Sequence, residues 1–153
     1  DEESERSFGP DGIVTGPGKA VEVGTKVTLA VHAMDPSIRD PNDPRFQEPI
    51  ALRANFAVHQ GPMAAEFVRH ETTQLPVPPD PSKARPGRPP PKPPGHEEVH
   101  LLAGEGTAQV YATFTQPGQY LLRIQVDNWA APESSEADQC CWTNVYQRIN
   151  VVP

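Results

Sequence analysis

The chain has few of the features that mark catalytic, membrane-spanning or nucleic-acid-binding proteins. It contains no G-x-S-x-G elbow and no phosphate-binding P-loop, and its cysteines have no activating base at a fixed spacing. It has no apolar run of about eighteen residues, so no membrane-spanning helix is predicted. The 20 acidic residues outnumber 13 basic ones, and the formal net charge of -7 argues against nucleic acid as a partner. We therefore expect a protein that is not an enzyme.

Helical structure is also disfavoured by the composition. The 153 residues include 20 prolines and 11 glycines, and only 36% are apolar. Each proline removes a backbone hydrogen-bond donor and fixes φ, so strands and loops should dominate. The length suits one domain with a hydrophobic core. We predict that this domain covers residues 12–153 and follows a charged, flexible arm over residues 1–11.

Alternation of apolar and polar residues predicts the strands. Two segments, Lys26–Met34 and Leu52–Gln60, show the period of a half-buried strand. Further strands are predicted over residues 13–15, 19–23, 65–69, 99–102, 109–114, 120–127 and 145–152. The first two of these form one kinked edge strand. About seven strands without a convincing helix predict an all-β, two-sheet sandwich, and an open barrel is the alternative that the same spacing permits.

The framework of these strands resembles an immunoglobulin-like domain of the PKD type. Residues 23–29, VGTKVTL, are similar to the G-x-x-V-x-L strand that opens such domains. Residues 112–127, ATFTQPGQYLLRIQVD, are similar to their F-x-x-P-G-x-Y-x-L-x-V-x-D segment. The Trp-Asp-Phe-Gly-Asp-Gly signature of the family is missing, and residues 52–58 stand in its place. The resemblance implies a PKD-like, immunoglobulin-like β-sandwich with an additional insertion.

That insertion is the proline-rich segment over residues 75–95, in which ten of 21 residues are proline. Such a segment should be extended or disordered, and it cannot form a central strand. Its basic residues are Lys83, Arg85, Arg88 and Lys92. Its one acid is Asp80, so the segment carries +3 and leaves -10 on the rest of the chain. We predict that Arg85, Arg88 and Lys92 contact an acidic protein surface.

The adjacent Cys140 and Cys141 are the least ordinary residues of the chain. They can form a strained vicinal disulfide, remain free thiols or link to another chain, and we favour the vicinal disulfide. Together with the missing initiator Met, they predict export to the periplasm, the cell surface or the medium. A stiff loop beside Trp129 and Trp142 would offer a platform for a sugar ring. The plainer interpretation is that both tryptophans belong to the core.

Two weaker hypotheses concern calcium and the histidines. Asp35, Asp127 and Asp138 offer oxygen ligands for calcium if the topology brings their loops together. The spacing matches no EF-hand, and solvated Asp-Pro turns are the alternative interpretation. No other cofactor is predicted. His70 and His96 flank the insertion and would meet if its base closes.

These observations predict a non-catalytic extracytoplasmic module that binds another protein or its own copies. It would act as an accessory subunit or as a repeating structural unit of a larger assembly. The alternative is a carbohydrate-binding module that uses Trp129 and Trp142 beside the Cys140-Cys141 loop, with a glycan as the partner.

Overall fold

The computed structural model describes residues 20–74, 93–128, 131 and 142–153, together with the backbone of Ile13–Val14. The strands in chain order are β1 (Ile13–Val14), β2 (Ala20–Glu22), β3 (Lys26–Met34), β4 (Leu52–Gln60), β5 (Ala65–Arg69), β6 (Glu98–Leu101), β7 (Glu105–Phe114), β8 (Gly118–Asp127) and β9 (Trp142–Val152). The described residues also contain one short 3-10 turn, Pro44–Phe46. None of them forms a helix with the length and apolar character that a membrane span requires.

The strands form two sheets, which confirms the predicted all-β class and is the arrangement of a β-sandwich. The six-stranded sheet has the order β1-β9-β8-β4-β6, and β2 also pairs with β9. The three-stranded sheet has the order β3-β7-β5. The pairs of β1 and β2 with β9 are parallel, and the other described pairs are antiparallel.

One hydrophobic core fills the space between the sheets. Alternate side chains of the three long strands β4, β7 and β8 are almost fully buried there, namely Leu52, Ala54, Phe56, Val110, Ala112, Phe114, Tyr120, Leu122, Ile124 and Val126. Along each of these strands apolar residues occupy every second position and face the core, as the alternation that predicted the strands requires. Burial of each large side chain contributes about 1.5–3 kcal/mol, and a register slip of one residue would expose a whole set. The alternation therefore decides which face of each strand meets the core.

The strand boundaries differ most from the predicted ones at the starts of β7 and β9, whereas the other ends lie within two residues of the prediction. The turn predicted over residues 104–106 is shorter, because Glu105 and Gly106 already pair with the end of β3. Gly104, with φ of 75°, and Gly106, with φ of 140°, both keep backbone conformations that favour glycine. β9 begins at Trp142, three positions before the predicted start, because its pairing with β8 continues to Asp127.

The turn from β7 to β8 is tied to its surroundings by Tyr120. The Tyr120 hydroxyl donates a hydrogen bond to the carbonyl of Gln116 at 2.9 Å. The Tyr120 ring packs on Phe114 with centroids 4.8 Å apart. Gly118 adopts φ of 143°, and a Cβ there would lie 3.0 Å from Cγ of Pro62. This corner therefore combines a buried aromatic pair with a backbone that only glycine adopts readily.

Several predicted features lie outside the described residues. These are the arm over residues 1–11 and most of the insertion over residues 75–95. The two limbs of the insertion nearest to the sandwich are described, over residues 70–74 and 93–97.

Candidate functional site at the base of the proline-rich insertion

The insertion connects an edge of one sheet with an edge of the other. Its outgoing limb follows β5, an outer strand of the three-stranded sheet, and its returning limb leads into β6, an outer strand of the six-stranded sheet. The two limbs meet beside Arg69, the last residue of β5. We call this region, residues 69–74 and 93–97, the base of the insertion.

Arg69 closes the base by binding three consecutive residues of the returning limb. Its Nη2 donates to the carbonyl oxygens of Pro94 at 3.2 Å and Gly95 at 2.7 Å. Its backbone N–H donates to Nδ1 of His96 at 3.3 Å. A proline has no N–H but keeps a strong carbonyl acceptor, and a guanidinium is well suited to bridge two such acceptors. One residue therefore holds the returning limb against the end of β5.

The outgoing limb is fixed on β7, the central strand of the same sheet. The Thr73 hydroxyl donates to the carbonyl of Gln109 at 3.1 Å, and the Thr72 hydroxyl lies 3.3 Å from the Gln109 side-chain oxygen. The Thr73 N–H also donates to the carbonyl of His70 at 3.0 Å, which closes a turn. The limb thus leaves β5, turns and lies across the outer face of the sheet.

Tyr111 on β7 binds the turn with both its hydroxyl and its ring. The hydroxyl donates to Oε2 of Glu71 at 2.7 Å. This bond lowers the pKa of Glu71 from its ordinary value of 4.5 and raises the pKa of Tyr111 from 10.0. The ring lies 4.6 Å from the His70 ring, and Nζ of Lys26 stands 4.2 Å from its centroid. A cation over the ring, from β3, therefore joins the same network.

The two histidines at the base have separate partners among the described contacts. Nδ1 of His96 accepts a hydrogen bond from the Arg69 backbone N–H. Nδ1 of His70 accepts a hydrogen bond from the Thr72 N–H at 3.2 Å, and the His70 ring packs on the Tyr111 ring. The two limbs meet through Arg69, and among the described contacts none joins His70 to His96, so their predicted contact stays a prediction. Sequence reasoning missed Arg69, although carbonyl acceptors that lack paired donors are a predictable property of a proline-rich limb.

The base of the insertion has to be interpreted from its own contacts. No protein-family model matches the chain, and no curated protein matches it either. The resemblance to PKD-type domains therefore stays a prediction.

Trp142 is the one described member of the predicted sugar-binding platform. It is half-buried at the start of β9 and lies directly opposite Asp127 on β8. Asp127 is almost fully buried and binds Arg53, whose Nη2 is 2.9 Å from Oδ2. Asn144, two residues beyond Trp142, is buried, and its Oδ1 has no hydrogen-bond partner among the residues that the structure describes. The other predicted site residues, Trp129, Cys140, Cys141, Asp138, Arg85, Arg88 and Lys92, lie outside the described residues.

The two described residues of the calcium hypothesis are each paired with an arginine. Asp35 and Asp127 lie at the same end of the sandwich, since β3 and β8 both end there. Oδ2 of Asp35 is 2.9 Å from Nη2 of Arg39, and Asp127 binds Arg53. Burial alone would raise the pKa of Asp35, but hydrogen bonds from Ser37 and Arg39 lower it overall. Within the described residues no group of three His, Cys, Asp or Glu is placed to hold a metal, and the hypothesis, which also needs Asp138, stays a prediction.

A small polar cavity of about 200 Å³ lies at this same end of the sandwich. It is lined by Asp35, Arg39, Pro49, Ile50, Ala103, Gly104 and Glu105. Pockets for organic ligands usually reach about 300–1,000 Å³ and are mainly apolar. The charges of Asp35 and Arg39 also balance each other here, so the base of the insertion is the better candidate site.

Proposed function

We propose that the chain is a non-catalytic, immunoglobulin-like module of the PKD type that holds its proline-rich insertion out toward another protein. The observation that carries this proposal is the closure of the base by Arg69. A tolerated surface loop needs no such anchorage, whereas here both limbs are bound to the sandwich. Fixing the limbs in advance reduces the conformational entropy that the insertion loses when it binds.

The strand arrangement supports the immunoglobulin-like part of the proposal. The order β9-β8-β4 in one sheet and β3-β7-β5 in the other corresponds to the G-F-C and B-E-D strands of immunoglobulin sandwiches. Tyr120 lies near the start of β8, and its hydroxyl reaches back to Gln116, four residues earlier. Immunoglobulin-type domains have a tyrosine corner of this kind at the same place.

The charge of the insertion supports an acidic protein as the partner. The insertion carries +3 in a chain whose remaining residues carry -10. Proline-rich segments are already extended, so they lose little entropy when they dock onto a groove or surface. Long-range attraction between the basic insertion and an acidic partner should weaken as the salt concentration rises.

The experiment replaces residues 76–92 by a Gly-Ser linker of equal length and leaves Arg69, Pro94 and Gly95 in place. Each form is used for affinity purification from the native source across a salt series. We expect the wild-type chain to retain a partner that is lost at high salt, and the linker variant to retain none while its melting temperature changes by only a few degrees. The matched control changes Arg45, Arg123 and Arg148 to Gln, which removes from the rest of the chain the same net charge of +3 that residues 76–92 supply. Unchanged binding by the linker variant would contradict the proposal.

The extracytoplasmic location depends on Cys140 and Cys141, which we propose to be joined as a vicinal disulfide. Intact-mass measurement without reductant should then give a monomer two hydrogens lighter than the dithiol form. Two alkylatable thiols, or a disulfide-linked dimer, would contradict this part of the proposal.

The second candidate function is carbohydrate binding, and the position of Trp142 favours it. A half-buried indole beside the Arg53–Asp127 pair combines an apolar surface with planar polar groups, as sugar rings require. A glycan array separates the two functions. Binding to a polysaccharide that disappears in both Trp129→Ala and Trp142→Ala would favour this second function over the protein-binding one.

A further inference from the structure

Two arginines on the outer face of the six-stranded sheet have no side-chain partner among the residues that the structure describes. Arg123 on β8 and Arg148 on β9 point away from the core, because the residues beside them, Leu122 and Ile149, occupy buried inward positions. Neither guanidinium makes an ion pair, a hydrogen bond or a ring contact with another described residue. Arg123 lies opposite Tyr146, so Arg148, two residues further along β9, is its diagonal neighbour at about 7–8 Å. The two cations therefore lie side by side.

Two acids of the same face, Asp127 and Glu98, are each bound to another side chain. Nη2 of Arg53 is 2.9 Å from Oδ2 of Asp127. Nε2 of His100 is 2.6 Å from Oε1 of Glu98. Both pairs lie toward the end of the sheet at which β8 ends, since Arg53 is paired with both Asp127 and His100. These acids therefore do not neutralise the two arginines.

A third acid of this face, Glu22 on β2, lies further away. It is opposite Val152, four residues beyond Arg148, which corresponds to about 13 Å along β9. At physiological salt the Debye length is about 8 Å, so the charge of Glu22 is largely screened there. The same screening limits the effect of the net charge of -7 that the chain carries. A ligand that contacts both arginines would therefore meet a locally positive surface.

An aromatic pair lies next to the arginines on the same face. The rings of His59 on β4 and Tyr146 on β9 meet edge to face, with centroids 5.3 Å apart. β4 and β9 are the two neighbours of β8, so the rings meet over β8. The pairing of β4 with β8 is irregular between Val58 and Gln60, and such a bulge re-aims the side chain of the extra residue, here His59. The face thus combines two cations with an aromatic surface.

We propose that His59, Arg123, Tyr146 and Arg148, which we call the basic patch, bind a sugar chain that carries anionic groups. A planar guanidinium matches the paired oxygens of a carboxylate or a sulfate. The aromatic pair offers an apolar surface against which a sugar ring can pack. The two arginines would bind the anionic groups, and the rings would bind the sugar between them.

The neighbouring side chains and the charge of the chain favour a sugar over other anions. Gln119, Gln125 and Asn150 occupy further outward positions of β8 and β9, and their amides can donate to and accept from hydroxyl groups. A nucleic acid carries a charge on every unit, and the net charge of -7 would oppose it. A sugar chain can carry its charges at intervals, with uncharged rings between them.

The basic patch is remote from the base of the insertion. It lies on the outer face of the six-stranded sheet, whereas the outgoing limb of the insertion crosses the outer face of the other sheet. The inference therefore goes beyond the protein-binding function. It rests on the second candidate function, because Trp142 lies on the same face of β9, four residues before Tyr146, and it names the class of sugar.

The test titrates the full chain with three oligosaccharides of similar length in a calorimeter. An alginate oligosaccharide supplies carboxylates, a carrageenan oligosaccharide supplies sulfates, and a cello-oligosaccharide is neutral. We expect at least one acidic probe to bind more tightly than the neutral one, with an affinity that falls as the salt concentration rises. The stronger of the two acidic probes identifies the anionic group. Arg123→Gln and Arg148→Gln should each weaken this binding about tenfold, because each removes a charge-assisted hydrogen bond.

The matched control is Arg45→Gln, which removes the same charge from the exposed loop between β3 and β4 and should leave the affinity unchanged. Arg123→Lys should lose less affinity than Arg123→Gln, because it keeps the charge but not the planar geometry. Circular dichroism of each variant checks that it is folded. The proposal is overturned by an equal loss in Arg45→Gln, by equal binding of the neutral probe, or by the absence of binding to both acidic probes.

Two further variants separate this proposal from the functions proposed above. If a neutral sugar binds, and Trp142→Ala removes that binding while Arg123→Gln and Arg148→Gln do not, the second candidate function stands and the basic patch is wrong. The form in which Arg45, Arg123 and Arg148 are all changed to Gln should lose the acidic sugar and keep the protein partner of the insertion. Loss of both would overturn the independence of the two surfaces.

Discussion

The two edges of the three-stranded sheet share β7 but differ in how they are protected. On the β5 side the strand is short, Arg69 binds the returning limb of the insertion, and the outgoing limb binds β7. On the β3 side nine residues run without a bulge, and the described residues place no further strand beside them. A shared central strand therefore does not determine how each edge of its sheet is protected. The side chains at each edge decide which one is closed and which one can accept a partner.

The largest effect is expected from a substitution in β7, the strand that both edges share. Phe114 is fully buried at the end of β7 and packs on Tyr120. Phe114→Ala should lower the free energy of unfolding by about 3–5 kcal/mol, because a large cavity replaces an aromatic ring. Denaturant unfolding measures this loss, and hydrogen exchange should show β3 and β5 opening together. A loss confined to one of the two edges would mean that they do not depend on the same central strand.

A second substitution, with a smaller effect on stability, should distinguish the two edges because it acts on the β5 edge alone. Arg69→Ala removes two charge-assisted hydrogen bonds to the returning limb and should cost about 2 kcal/mol. Hydrogen exchange should accelerate at residues 95–98 and stay unchanged in β3. Arg69→Lys keeps the charge but not the two-pronged geometry, so its loss should be intermediate. The control is Arg123→Ala on the six-stranded sheet, and an equal loss there would contradict a special role for Arg69.

The smallest effect concerns the Tyr111–Glu71 hydrogen bond and depends on pH. The lowered pKa of Glu71 contributes stability above pH 4.5 that is lost as the pH falls through the lowered value. The raised pKa of Tyr111 contributes stability below pH 10.0 that is lost as the pH rises through the raised value. The melting temperature of Tyr111→Phe should therefore lie slightly below that of the wild type between these limits and converge with it beyond them.

Glu71→Gln sharpens this prediction, because it removes the acidic titration together with the charge that helps to raise the pKa of Tyr111. Its melting temperature should lose the dependence attributed to Glu71 at low pH, while Tyr111 still titrates at high pH. If the difference in melting temperature between wild type and Tyr111→Phe were constant over the whole pH range, the Tyr111 hydroxyl would contribute to stability independently of the charge on Glu71.

The sequence predicted the fold where a local pattern determines burial. Phe56 and Leu122 lie in the core because a strand places every second side chain on one face, and the apolar alternation alone predicts such a strand. The start of β7 was predicted too late because Glu105 and Gly106 look like part of a turn, and only the pairing with β3 extends the strand through them.

The candidate site was predictable only in outline. Proline content located the insertion and its flanking histidines, but the closure joins Arg69 to Pro94, 25 residues away, through backbone carbonyls. Every residue has a carbonyl, so no side-chain pattern reveals that contact. The Tyr111–Glu71 bond spans 40 residues and likewise depends on the assembled sheet.

The parallel pairing of β2 with β9 determines how the domain would resist a stretching force. Ala20 lies opposite Asn150 and Glu22 opposite Val152, and the Val23 N–H donates to the Val152 carbonyl at 2.9 Å. Because the strands are parallel, the chain enters β2 at one end of the pair and leaves β9 at the other. A stretching force on these two points would slide the strands lengthwise past each other. All hydrogen bonds of the pair would then resist at the same moment, whereas a hairpin pulled apart from its open end breaks them in succession.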